Sequence, residues 1–481
     1  MGDRGRSHMK TKLISLILII GNFSILYPHN MAWASSRASH FHFLRPQAFS
    51  DREDQLQELY RRRDAFLSTA PNLRVKTIFG IGSLSRLGEV CRPYGNSALL
   101  VTGSSAVNTG LVGRCKELLG EGITVEGYHS VTPNPTVHQV NAIVRMIKER
   151  NLKMIIVVGG GSAMDAAKLA AVIAVQGGTA EEYLVEGGRT IDANGGSVPV
   201  IVVPTTSASG SELSRGAIIS WPERNLKIGM FNDKLYATAA VVDPELAFTL
   251  PARETAFGGF DAFCHAVETY ISTKANPEAI TGLAHALSRD AIKAVCHYLP
   301  RALQYPNDIV ARAHLSYYSM VMGYNLANCG SCAPHRMQYP IGGLTNTAHA
   351  EGLAALYPTW VYLTYDISRE RFDDISVCMA EGMGIPNTGV LDVLDKFMTE
   401  IGVKRTLRDL IRVVPDFVGT EHEACQRFQA MVDPRLLGND PGVAAGRFTP
   451  WTMYISALEP EALPRRPGDT PKASDEALTA I

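Results

Sequence analysis

Met154-Ile-Ile-Val-Val158 is an uninterrupted apolar run, and Gly159-Gly160-Gly161-Ser162 follows it at once. A short run with no polar alternation is what a strand buried on both faces of a parallel sheet requires. The glycines allow close backbone approach, and Met164 to Ile173 has the composition of a helix. Strand, glycine turn and helix in that order leave free N–H groups and positive partial charge at the helix start, where a phosphate can sit. The same segment also serves as a plain strand-to-helix turn, and a glycine cluster alone does not choose between the two.

The flanking sequence continues the alternation. Ser97 to Thr102 reads as a strand, Val112 to Leu119 as a helix, Val125 to His129 as a weaker strand, Thr136 to Arg150 as a helix and Val198 to Val203 as another buried strand. Such alternation predicts βαβ units. After Pro251 the pattern turns helical over Ala256–Ser272, Pro277–Tyr298, Ile309–Cys329 and Val390–Ile401, with no strands between. The expected fold is an α/β N-terminal domain with a parallel sheet (71–250) followed by an all-helical domain (251–460). Residues 1–70 form an N-terminal extension, and the polar, Pro-rich tail 461–481 is expected to be disordered.

With 46% apolar and 19% charged residues, the composition is globular. A net charge of −1 gives no basis for binding nucleic acid or an acidic membrane. Eight cysteines scattered through a long chain fit a reduced compartment, not a disulfide scaffold.

Gly159-Gly-Gly-Ser-Ala-Met-Asp165-Ala-Ala-Lys168 resembles the GGGSxxDxxK cofactor signature of the iron-containing alcohol dehydrogenases, in the dehydroquinate-synthase-like superfamily. Pro204-Thr-Thr-Ser-Ala-Ser-Gly-Ser-Glu212 resembles that family's PTTxxTGSE segment, and Asn134-Pro135, Asp243-Pro244 and Leu250-Pro251 fall in its order. The resemblance implies a nicotinamide dinucleotide held by Gly159, Gly160, Gly161, Ser162 and Asp165. It places Thr205, Thr206 and Ser209 by the nicotinamide and ribose, with Lys227 as a further contact. Gly103 and Ser104 are expected at the ribose. Gly103 stands where NAD-preferring relatives often carry Asp, and two serines follow it, so the reading leans from NAD toward NADP, although serines also serve turns.

Asp261 and His265 lie four apart, on one face of a helix, while His335 and His349 come later, separated by a loop carrying Gly342-Gly343. Each histidine alone reads as an ordinary hydrogen-bonded residue. Together they match the family's Asp, His, His, His metal set, whose donors suit Fe(II) or Zn(II). The resemblance thereby implies hydride exchange between nicotinamide and a small polar alcohol or aldehyde, aided by a Lewis-acid metal. Asp165 and Tyr339 are the expected catalytic residues. Tyr339 stands where many relatives have a second histidine, an arrangement closer to a phosphonoacetaldehyde-reductase-like branch, and a phenol of pKa ~10 is a poor base near neutrality. Packing would explain the tyrosine equally well. Arg336 could attract an anionic substrate, but the sequence favours a solvated side chain. Ala350 replaces the glycine usual after the last histidine. Cys329-Gly-Ser-Cys332, a single CxxC, is read as buried cysteines and not as a redox or zinc motif.

Two other readings stay open: a lyase or cyclase that uses nicotinamide transiently, and a metal- or nucleotide-binding protein impaired by Tyr339. Relatives often form oligomers, so a homo-oligomer is expected. Lys10, Lys12, the apolar run Leu13–Ile20 and Ala32-Trp33-Ala34 resemble a secretory signal over residues 10–34. Interruption by Gly21, Asn22 and Pro28 and the dinucleotide cofactor argue instead for the cytoplasm. Met1 to Met9 could equally be an expression scar or an over-called start. No other stretch approaches the ~20 apolar residues of a membrane span.

Overall fold

The computed structural model describes residues 49–460 apart from 186, 275 and 413–418. The signal-like segment at 10–34 and the tail 461–481 lie outside the described residues. The first element, α1 (Phe49–Thr69), falls within the expected N-terminal extension. It is held by buried Leu59 and Phe66, the latter edge-on to Tyr324 with ring centroids 5.3 Å apart.

The chain then alternates as β1 (Lys76–Phe79), β2 (Ser97–Thr102), α2 (Leu111–Leu119), β3 (Thr124–Tyr128), α3 (Val137–Glu149), β4 (Met154–Gly159), α4 (Gly161–Gln176) and β5 (Val200–Pro204). An antiparallel pair, β6 (Gly216–Trp221) and β7 (Leu226–Phe231), precedes β8 (Ala239–Val242). The other six strands form one parallel sheet in the order β1-β8-β5-β4-β2-β3. Every residue of β4 is buried, as its apolar run requires. The chain runs from β2 out to β3 and returns across β2 to β4. The carboxyl ends of β2 and β4 therefore flank the point where strand order reverses, the place where open α/β sheets bind ligands.

Beyond β8 come α5 (Ala252–Ile271), α6 (Glu278–Gln304), α7 (Ile309–Cys329), α8 (Ala333–Thr345), α9 (His349–Thr364) and further helices ending at Leu458, with no strand among the described residues. The α/β-then-helical architecture expected from the sequence is thus present. No helix among the described residues is long and apolar enough to cross a membrane.

One local expectation is overturned: Gly342-Gly343 is not in a loop but inside α8. A Cβ at Gly343 would lie 2.5 Å from the Asn225 carbonyl oxygen, and one at Gly342 would lie 3.1 Å from Lys227 Nζ. These glycines let the helix pack tightly on the β6–β7 turn. The break between α8 and α9 falls later, at Asn346, whose φ of 51° turns the chain toward α9.

Candidate active site

The glycine turn lies at the floor of a cleft of ≈ 820 Å³ between the carboxyl edge of the sheet and the helical half. Gly160 caps α4 without any side-chain hydrogen bond, so the helix start presents bare backbone. Thr205, Thr206 and Ser209 face it across the turn, and the Thr205 amide donates to the Gly159 carbonyl at 3.1 Å. A Cβ on Gly161 would lie 2.7 Å from Ser209 Oγ, so only glycine keeps this approach open. Gly103, Gly159, Gly160, Gly161, Ser162, Asp165, Thr205, Thr206, Ser209 and Lys227 all line the cleft, and so does Ser105, whereas Ser104 does not.

Asp165 is fully engaged. One oxygen accepts from Ser211 Oγ at 2.5 Å and the other from the Ile218 amide at 3.0 Å. Buried Lys168 donates to Ser211 Oγ at 2.7 Å and lies 3.4 Å from Asp165. The GGGSxxDxxK helix is thereby tied to the Pro204–Glu212 segment, and this carboxylate orients the turn.

Lys227 is buried, donates to Asn134 Oδ1 at 2.8 Å and reaches Gln338 Oε1 at 3.4 Å. Burial pushes its ammonium down to about 8, against the pull of Asp165 and Asp261.

Across the cleft, α5 carries Asp261 and His265, α8 carries His335 and α9 begins at His349. The Nε2 atoms of His265, His335 and His349 lie 3.6, 3.3 and 3.6 Å from Asp261 Oδ1. Donors ~2.1 Å from a tetrahedral centre stand about 3.4 Å apart, so this spacing fits one small divalent cation. Asp261, His265 and His335 are buried and form the tightest group, with one donor atom from each lying within 4.8 Å of the others. Burial alone would raise the Asp261 carboxyl, but the facing imidazoles outweigh it and hold it well below the usual range. Burial brings His265 down to about 4. His335 resists the same desolvation and stands at about 9, because Glu268 and Asp261 face it.

Outer partners fix the rings. Glu268, fully buried on α5, accepts from His335 Nδ1 at 2.6 Å and from the Cys332 amide at 2.7 Å. Gln338 Oε1 accepts from His349 Nδ1 at 2.5 Å. Carboxylate and amide partners of this kind set the tautomer and aim of ligating imidazoles. Sequence reading missed both residues. Glu268 stands three residues after His265 and Gln338 three after His335, and that helical spacing was the available signal.

Tyr339 is buried at the cleft wall and accepts a hydrogen bond from Arg336 Nη1 at 3.0 Å, and burial raises its phenol above the ordinary value. Arg336 is not solvated as the sequence suggested. It is 8% exposed, with its guanidinium 4.5 Å over the Phe231 ring, because α8 packs against β7 and encloses the side chain. Cys329 and Cys332 are buried free thiols, and burial raises both.

Comparison with known proteins agrees with this architecture. Residues 75–244 match the family model "Iron-containing alcohol dehydrogenase", and residues 255–416 match "Fe-containing alcohol dehydrogenase family, C-terminal". Long-chain-alcohol dehydrogenase 1 of Geobacillus thermodenitrificans is 34% identical over 336 residues, covering 68% of this chain and 83% of that protein. The 1,3-propanediol dehydrogenase of Klebsiella pneumoniae is 31% identical over 76% of this chain and 95% of its own. The crystal structure of an archaeal halo-thermophilic alcohol dehydrogenase from a Red Sea brine pool superposes with a TM-score of 0.69 at 25% identity, covering 80% of this chain and 97% of that one. With both halves of the cleft matched in order along one chain, the protein belongs to the iron-containing alcohol dehydrogenase family.

Proposed function

We propose that the protein exchanges hydride between NAD(P) and a small polar alcohol or aldehyde of the phosphonoacetaldehyde kind, acting in the cytoplasm as a homo-oligomer. The observation carrying this reading is that three imidazole nitrogens converge on one carboxylate oxygen inside the cleft that also holds the glycine turn. Asp261, His265, His335 and His349 would hold Fe(II) or Zn(II), which supplies Lewis-acid polarisation of the substrate oxygen.

The chain's own residues do the rest. The α4 start and its glycines receive the pyrophosphate, while Thr205, Thr206 and Ser209 border the nicotinamide end. Gln338 joins Lys227 to His349, so a cofactor-side lysine and a metal ligand share one amide. Tyr339 keeps its proton near neutrality and acts as a hydrogen-bond donor, not a base. Asp165 acts by orienting the glycine turn. The lean toward NADP is supported at Gly103, where a Cβ would lie 2.9 Å from the Val131 carbonyl oxygen and leaves no room for a 2′-hydroxyl-binding aspartate. The boundary between cofactor domain (71–250) and metal domain (251–460) follows from the same division of labour.

The test is NADPH and NADH oxidation by metal-loaded protein against a panel of small aldehydes, with His349→Ala beside it. Steady turnover, higher with NADPH and lost in the variant, is expected. Tight cofactor and metal binding without net turnover would overturn the reading in favour of the lyase or scaffold alternatives.

A further inference from the structure

Buried cations in this protein generally have partners. Lys168 has Asp165 and Ser211, Lys227 has the Asn134 and Gln338 side-chain oxygens, and Arg312 has Thr255 and the Pro306 carbonyl. Arg336 departs from that pattern. Among the described residues its guanidinium makes one hydrogen bond, to the neutral Tyr339 hydroxyl, and its buried Nε has no partner, whereas Arg312 uses two of its donors. A buried charge left unpaired is costly, and a ligand that completes it recovers that cost.

Lys274 adds a second positive charge to the cleft wall near Arg336. Lys274, half-buried on the same cleft, makes no ion pair among the described residues, and burial together with nearby Arg215 and Arg336 lowers its ammonium. Arg215 is already paired with Asp233 at 3.1 Å. Asn439 lines the same end, its Nδ2 2.6 Å from where a Cβ on Gly330 would stand, so glycine keeps this corner open.

Location excludes the dinucleotide as the partner of these cations. Its phosphates belong at Gly159–Gly161 on the opposite, α/β wall, whereas Arg336 follows His335 directly on α8. Arg336 lines the same cleft as Asp261, His265, His335 and His349, so a group held by it shares that cleft with them.

We propose that Arg336 and Lys274, with Asn439, form an anion subsite, and that the substrate is a short aldehyde or alcohol bearing a phosphonate, sulfonate or carboxylate. This rests on the dehydrogenase reading for its chemistry, but the subsite can be tested separately.

With metal-loaded protein, kcat/KM would be measured for phosphonoacetaldehyde, sulfoacetaldehyde, glyoxylate and neutral butanal. Whichever acidic aldehyde fits should exceed butanal at least tenfold, and the ranking names the acid. Arg336→Gln should cut that preference about 30-fold or more, the scale for losing one side of a buried charged pair. Arg336→Lys should restore part of it, since lysine keeps the charge but not the planar fork. Lys274→Gln, at a half-buried position that threatens the fold less, should cut it to a smaller extent. Preference for butanal, or an acid-to-neutral ratio unchanged within threefold in both glutamine variants, overturns the subsite while leaving the dehydrogenase intact. If no aldehyde turns over, the dehydrogenase reading fails. Calorimetry with ethylphosphonate and ethanesulfonate then decides the subsite alone: binding weakened in Arg336→Gln sustains it, and no binding, or binding indifferent to the change, ends it.

Discussion

The α/β wall of the cleft presents backbone to it, whereas the helical wall presents titratable side chains. On the first, bare amides at the start of α4 and the glycines before it form the surface, and Asp165 and Lys168 only brace them. On the second, Asp261 and three imidazoles from three helices crowd within 3.6 Å of one oxygen, steadied by Glu268 and Gln338. A backbone site tolerates much side-chain change but not added volume. A side-chain cluster tolerates some volume change but not loss of a charge or a partner.

That contrast can be broken by substitution, starting with the metal wall. Asp261→Asn removes the one carboxylate that, among the described residues, faces the three Nε2 atoms. Metal content by atomic spectroscopy should fall to background and turnover by about 10³-fold or more, as for loss of a ligand and its Lewis acid. Cofactor affinity, read by nucleotide fluorescence, should stay within about threefold. A comparable loss of nucleotide binding would show that the two walls are not separable.

Gly161→Val tests the opposite wall. Its Cβ would meet Ser209 Oγ at 2.7 Å, and cofactor affinity should drop about 100-fold, roughly 2.7 kcal/mol, with metal content unchanged. Full cofactor affinity in this variant would mean that the turn is not the phosphate cradle.

Glu268→Gln keeps the shape of the partner but removes its charge from behind His335. Metal affinity should weaken by about 10–100-fold, the usual cost of altering such an outer partner, as measured by competition with a chelator. If affinity does not change, Glu268 serves only the Cys332 amide.

Tyr339→Phe should have the smallest effect, about tenfold on kcat. Because burial raises the phenol, its neutral form persists as pH climbs through neutrality. The loss should therefore be uniform from about pH 6 to 9, since a donor is missing at every pH. A variant that shifts the pH–rate profile instead would make Tyr339 the titrating base.

Much of the cleft was legible in the sequence because its parts are local. β4, the glycines and α4 are consecutive, so period and composition announce them, and Asp261 with His265 follows from helical spacing. The antiparallel β6–β7 pair was missed. Its residues 216–231 form a hairpin apart from the main sheet, and no apolar run of the β4 kind marks it. Gly342-Gly343 misled for a related reason. Glycine signals a turn or a close approach, and only the packing of α8 on the Asn225 turn reveals which.

The sequence by itself determined the strand–helix alternation, the glycine turn and the Asp261–His265 pair, because these depend on neighbours a few positions apart, whereas His335 and His349 were implied only by the family resemblance. Tertiary structure alone decided that His335 and His349 reach Asp261, that Glu268 and Gln338 stand behind them, and that Arg336 is enclosed and not solvated. Those outcomes depend on distances between helices far apart in the chain, and burial, which fixes the charge and the partners of a side chain, exists only once the helices have packed.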